Sequence, residues 1–232
     1  MTGTLRILSG GAAQGLVEQL RPAFEARHGC RLESTFGAVG LMKEKLLADA
    51  PCDLLVLTQA LVAELETLGR VVPGSAQALG VVATGLAVKA GSSAAQVTTQ
   101  AQLQALLHRA GAVYFPDPAK ATAGIHFMKV LTALELAGPL AGRLRTFANG
   151  VTAMAALALA PEQGAVGCTQ VTEILFTPGV QLIGSLPAPH GLATMYTAAV
   201  CAQASAPALA LALLAALAAP QAAATRAACG FA

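Results

Sequence analysis

The chain has 232 residues, which suits one large domain or two small lobes. Hydrophobic residues make up 55% and charged residues 11%, so a core is easily filled and an extended disordered chain is excluded. The formal charge is +2 with no block of like charges, and with two Tyr and no Trp the stacking platforms and basic stripe of a nucleic-acid binder are missing.

Strand-like and helix-like segments alternate, which predicts parallel sheets covered by helices. Residues 5–8 read as a strand, followed by the turn Ser9-Gly10-Gly11. Leu16, Val17, Leu20 and Phe24 fall at helical spacing, with Gly29 where a C-cap belongs. Residues 31–36 read as a second strand, and Gly37-Ala38-Val39-Gly40 turns into a helix carrying Leu41, Met42, Leu46 and Leu47. Residues 53–57 are a third strand, and Leu61, Leu65 and Leu68 mark a helix ended by Gly69. Residues 81–83 and 86–88 read as two extended pieces split by Thr84-Gly85. Thr99 is positioned to cap a helix holding Leu103, Leu106 and Leu107. Residues 113–115 form a strand running into Pro116-Asp117-Pro118-Ala119-Lys120, and a helix beginning near Gly124 carries Phe127, Val130, Leu131 and Leu134. Then come a helix at 150–160, a strand at 165–170, a short helix at 171–174, a strand at 180–183 and an extended stretch at 192–201. The apolar run at 206–219, bracketed by Pro207 and Pro220, is too short for a membrane span, so no membrane insertion is expected.

Cys30, Cys52, Cys168, Cys201 and Cys229 are scattered, without a Cys-x-x-Cys pair, and read as buried thiols. No Walker-type Gly-Lys-Ser/Thr, Gly-x-Gly-x-x-Gly or Gly-x-Ser-x-Gly is present, and no His/Cys pair has zinc spacing. No cofactor and no metal are therefore expected. The first residues carry no charged region followed by a long apolar stretch, so no signal peptide is expected. That implies a cytoplasmic protein, or a periplasmic one if a leader has been removed.

Several stretches together resemble the type II periplasmic binding proteins, within them the molybdate-binding-protein-like branch. Residues 5–12 resemble the first strand and ligand loop, and Thr35-Phe36-Gly37-Ala38-Val39-Gly40 resembles the second loop. Cys52-Asp53 followed by aliphatics and Thr58 resembles the third strand. Tyr114-Phe115-Pro116-Asp117-Pro118 with Thr122-Ala123-Gly124 is similar to the second-lobe loop and helix start. Residues 164–170 resemble the strand that faces ligand from that lobe, and 220–231 the closing segment. The resemblance implies two Rossmann-like α/β lobes, residues 1–80 plus 195–232 and residues 81–194, joined by two extended crossovers, with a small anionic ligand in the cleft. It also implies a monomer, with an ABC importer as partner if the protein is exported.

Loops entering helices offer unpaired N–H groups and a positive dipole end, so they bind anions without a charged side chain. The candidate ligand contacts are Ser9, Gly10, Gly11, Phe36, Gly37, Ala38, Thr58, Gln59, Pro118, Thr122, Ala123, Gly124 and Gln170. Molybdate-binding relatives carry serines in the second loop, where this chain has Ala38 and Val39. Lys120 and His126 suit a carboxylate better, so a di- or tricarboxylate is the expected ligand. Aconitate isomerase also looks like a member of this branch, and the Asp-Pro-Ala-Lys and Gly-Ile-His stretches resemble it. That resemblance implies a proton shift along an allylic tricarboxylate, with His126 and Lys120 as catalytic candidates and Asp117 and Glu173 behind them. Glu173 otherwise reads as surface charge on a short helix. An organic-anion binder, an isomerase and an oxyanion receptor of an importer all remain open on the sequence.

Overall fold

The computed structural model describes residues 3–93 and 95–232. In chain order it begins with β1 (Gly3–Gly10), α1 (Gln14–His28), β2 (Cys30–Gly37), α2 (Val39–Leu47), β3 (Leu54–Thr58) and α3 (Gln59–Thr67). Then follow β4 (Gln77–Lys89), α4 (Gln100–Arg109), β5 (Val113–Pro116), α5 (Thr122–Ala133), α6 (Ala137–Leu140) and β6 (Leu144–Phe147). The remainder is α7 (Gly150–Ala158), β7 (Val166–Gln170), α8 (Val171–Phe176), β8 (Val180–Ser185), β9 (Ala193–Val200), α9 (Pro207–Ala218) and α10 (Ala223–Ala228). The chain divides into two compact units, Met1–Val82 with Thr194–Ala232, and Ala83–Ala193.

In the first unit β2, β1 and β3 run parallel, and β9 joins β3 antiparallel. Leu54, Leu55, Val56 and Leu57 are all fully buried, as expected of a strand covered on both faces. Gly10 pairs with Gly37, and Ser9 with both Phe36 and Val56. This register brings the ends of β1, β2 and β3 to one edge of the sheet. Asp53, 1% exposed, ties that sheet to the approach of α9. It accepts from the Arg6 N–H at 2.7 Å, from the Ser205 N–H and hydroxyl at 2.6 and 2.9 Å, and from the Ala206 N–H at 3.0 Å. Ala210, Leu213, Leu214 and Leu217 of α9 then bury against the sheet.

In the second unit β4 pairs antiparallel with β7 and β8, and β5 lies parallel between β7 and β6. Val113 pairs with Val166 and Tyr114 with Gly167, so the ends of β5 and β7 reach the same edge. One core cluster, centred on Phe115, Phe127, Leu103 and Leu131, packs on the sheet. A smaller one gathers Met154, Leu157, Tyr114 and Ile174.

One expectation needs correction, and one half-exposed edge strand, β6, has no counterpart in the sequence reading. Thr84-Gly85 does not split the chain, because β4 runs unbroken through it. A Cβ at Gly85 would sit 2.9 Å from both Leu182 Cδ1 and Val171 Cγ2, so the glycine answers close packing and not a turn. No single helix among the described residues is long and apolar enough to cross a membrane. A bent pair, Pro207–Ala218 with Pro220–Ala228, passes on composition alone, and its first helix is core-facing.

Candidate functional site

The residues expected at the site fall on strand ends in each unit. In the first unit Ser9 is fully buried at the end of β1, and its hydroxyl donates to the Gly10 carbonyl at 2.9 Å. Its proton is therefore engaged within the loop. Gly10 and Gly11 are buried beside it. A Cβ at Gly10 would lie 2.7 Å from Val39 and 3.3 Å from the Tyr196 ring, so glycine is needed for β1 to end there. Phe36 is half-buried and Gly37 buried at the end of β2. Ala38, N-cap of α2, is 5% exposed, and Val39 is 7% exposed. Neither brings a hydroxyl. Thr58 is the buried N-cap of α3, makes no side-chain cap, and is followed by exposed Gln59.

In the second unit the loop after β5 carries Asp117, whose Oδ1 accepts from the N–H groups of Ala119 at 2.7 Å and Lys120 at 3.1 Å. Asp117 is thus the organiser of an Asx turn. Pro118 is exposed and Lys120 half-exposed. Thr122, Ala123 and Gly124 open α5, which has no side-chain cap. A Cβ on Gly124 would lie 2.3 Å from the carbonyl oxygens of Pro116 and Asp117, so only glycine lets the helix start this close to the loop. His126 is half-buried, and its Nε2 lies 2.8 Å from the His190 carbonyl. A carbonyl only accepts, so Nε2 is the donor in this contact and Nδ1 is the ring nitrogen left for other partners.

Gln170 ends β7 beside this loop. It is 2% exposed, and neither its Oε1 nor its Nε2 has a partner. The hydroxyls of Thr84, its strand partner, and of Thr172 are likewise buried and unpaired. A buried amide with both ends unsatisfied costs about 1–3 kcal/mol for each group, so such a cluster calls for an occupant.

Glu173 corrects the reading as surface charge. It is 5% exposed and accepts a short hydrogen bond from the Thr169 hydroxyl, with the Gln170 and Gly150 N–H groups also donating. Burial pushes its carboxyl up from the usual 4.5 to about 7, against the opposing pull of those three donors. The Thr169/Glu173 spacing of four is the one sequence signal for this bond, and nothing local marks Gly150 as its third wall.

Among the described residues only two of the helices carry side-chain caps, and most helix starts, those after the candidate loops included, have none. α4 and α7 carry full capping boxes, Thr99 with Gln102 and Asn149 with Thr152. The starts of α2, α3, α5 and α8, which follow the candidate loops, have no side-chain cap. Their first N–H groups remain for other acceptors. Three pockets lie elsewhere. One of about 60 Å³ borders Cys52, Arg70 and Cys201, one of about 500 Å³ borders Arg6, Arg21, Arg31 and Glu33, and one of about 630 Å³ borders Val97, Gln102, Leu106 and Arg109. None of the candidate residues lines any of them.

Residues 5–232 match the family model described as bacterial extracellular solute-binding protein. The chain belongs to this family. Among curated relatives of this solute-binding protein, an aconitate isomerase from Pseudomonas sp. is 25% identical over 227 residues, covering 95% of this chain and 84% of the relative. Among solved structures, the periplasmic molybdate-binding protein of Azotobacter vinelandii superposes with a TM-score of 0.82 at 19% identity, over 98% of each chain. The sulfate-binding protein of Mycobacterium tuberculosis H37Rv gives 0.76 at 16% identity, over 99% of this chain and 86% of that one. At these identities the likeness is one of fold, and the fold is that of the type II periplasmic binding proteins.

Proposed function

We propose that this solute-binding protein takes a small organic anion, a di- or tricarboxylate, and that Gln170 reads it. The observation that carries this reading is the Gln170 amide, buried with both ends unpaired. Its Nε2 can donate to a carboxylate, and its Oε1 needs a donor in return. A fully ionised tetrahedral oxyanion such as molybdate or sulfate has only acceptors and would leave Oε1 unsatisfied. An organic acid with a hydroxyl, or with one protonated carboxyl, answers both ends. Ala38 and Val39 support the same choice, because a dense shell of hydroxyl donors is missing from that loop. The uncapped start of α5, in the same unit as Gln170, supplies neutral N–H donors for a carboxylate. We assign the protein, if exported, delivery of its ligand to an ABC importer, as the name of a structurally similar substrate-binding domain suggests. A thermal-shift panel of di- and tricarboxylates, with molybdate, tungstate and sulfate alongside, tests the reading. A carboxylate at a hundred times its Kd raises stability by about 2.7 kcal/mol. A shift with the oxyanions alone refutes it.

The aconitate isomerase relative supports a second reading, in which the bound tricarboxylate is turned over. His126 is then the proton acceptor through Nδ1, since Nε2 is committed to His190. Incubation with cis- or trans-aconitate in deuterium oxide, followed by proton NMR, decides it. Interconversion with deuterium uptake establishes turnover, and unchanged spectra with binding confirmed leave a binder.

A further inference from the structure

Outside the candidate site, two cysteines of the first unit stand in sulfur contact. The Cys201 thiol donates to Cys52 Sγ at 3.2 Å, and the Cys52 thiol donates to the Leu54 carbonyl at 3.2 Å. Among the described residues this is the one such pair, and all five cysteines are free and buried. The backbone on each side is fixed. The Cys201 N–H donates to the Asp53 carbonyl at 2.9 Å, Cys201 bridges to Val71, and the Ala202 N–H donates to the Arg70 carbonyl at 3.0 Å. Asp53, next to Cys52, is itself held by four hydrogen bonds. The two sulfurs are thus brought together by the ends of β3 and β9 and not by a flexible tail. Both cysteines also line the small pocket whose rim carries the Arg70–Asp49 ion pair, at 2.5 Å. Both belong to the edge of the first unit's core, and this pocket is the nearest space for a small reagent to approach them.

We propose that Cys52 and Cys201 are a convertible dithiol that closes to an intramolecular disulfide on exposure to a small-molecule disulfide. Closing the bond brings the sulfurs from 3.2 Å to roughly 2.05 Å, a side-chain movement. The Cys52 thiolate attacks one sulfur of the oxidant, breaking its S–S bond and releasing one small thiolate. Cys201 then gives up its proton and attacks Cys52 Sγ, and the second small thiolate leaves. In sum the oxidant is reduced to two thiols, the two protein thiols lose two electrons, and their two protons go to the leaving thiolates. The Cys52 contact, burial and the charge of Asp53 all hold the Cys201 thiol protonated. The second step is therefore the slow one and accelerates as pH rises. The bond would staple the start of β3 to the end of β9, at the opposite end of β3 from Thr58.

The test incubates the folded protein with excess oxidised glutathione at pH 7 and pH 9, and in parallel refolds it from denaturant in a glutathione redox buffer. The protein is then unfolded, alkylated and digested for mass spectrometry. The expected result is the loss of two of five alkylable thiols, a Cys52–Cys201 crosslinked peptide, faster closure at pH 9, and recovery of all five thiols on reduction. Cys201→Ser should instead hold a stable glutathione adduct on Cys52. The crosslinked protein should melt several degrees higher than the reduced one, a shift absent in Cys201→Ser. Five alkylable thiols after both treatments, a different crosslinked pair, or a wild-type glutathione adduct that never closes would each overturn the proposal.

Discussion

The Glu173 carboxylate occupies the space where a side chain at residue 150 would begin: a Cβ on Gly150 would fall 1.9 Å from Glu173 Oε2 and 2.1 Å from Thr169 Oγ1. The carboxylate thereby joins the first turn of α7 to the first turn of α8. Gly150→Ala must push it out of a buried, hydrogen-bonded position. We expect a loss of about 2–3 kcal/mol, as for an overpacked core, read as a lower midpoint in urea with an unchanged m-value.

The same carboxyl makes stability depend on pH. Its folded value is raised to about 7 from the usual 4.5, so between these values the folded state holds a proton that the unfolded state has released. Stability from this group is complete below pH 4.5 and is lost as pH rises through 7, by about 3 kcal/mol in all. Denaturant melts from pH 4.5 to 8 should show that decline, and Glu173→Gln should flatten it. A slope unchanged in the variant would assign the decline to other groups.

Gln170→Met separates a residue kept for folding from one kept for ligand. Methionine fills a similar volume without the two unsatisfied amide atoms. We expect the ligand-free protein to gain about 1–2 kcal/mol and carboxylate binding to fall at least tenfold. A destabilised variant with unchanged affinity would mean that the amide serves the fold.

Asp53→Ala removes the acceptor for four donors that hold the start of β3, the β1 backbone and the approach to α9 together. The expected cost is about 2–4 kcal/mol, from four hydrogen bonds lost and their part-buried donors left to solvent. Asp53→Asn, which keeps part of the set, should cost less than half of that. Equal losses would show that charge, and not the acceptor geometry, is what matters there.

What was legible in the sequence was what local pattern carries. The apolar run 54–57 announces a buried strand, Thr99 announces its cap, and the glycine turns at 10–11 and 37 mark strand ends that the parallel register brings to one edge. What was not legible depends on partners distant in sequence. Gly85 reads as a break because nothing local reveals Leu182 against it. Glu173 reads as surface charge because Gly150, the residue that makes room for it, lies far upstream. His126 reads as a proton-transfer candidate from the sequence, but which ring nitrogen is taken is not legible until the His190 carbonyl engages its Nε2. Gln170 could be named as a ligand contact by resemblance, but the unpaired state of its side-chain amide is a property of the folded unit.

Isothermal titration of the protein with a tricarboxylate and, separately, with molybdate tests the central claim most directly. Saturable one-to-one binding of the tricarboxylate, lost in Gln170→Met, with no measurable heat from molybdate, is the predicted result. Submicromolar binding of molybdate, with no response to any di- or tricarboxylate, would contradict it.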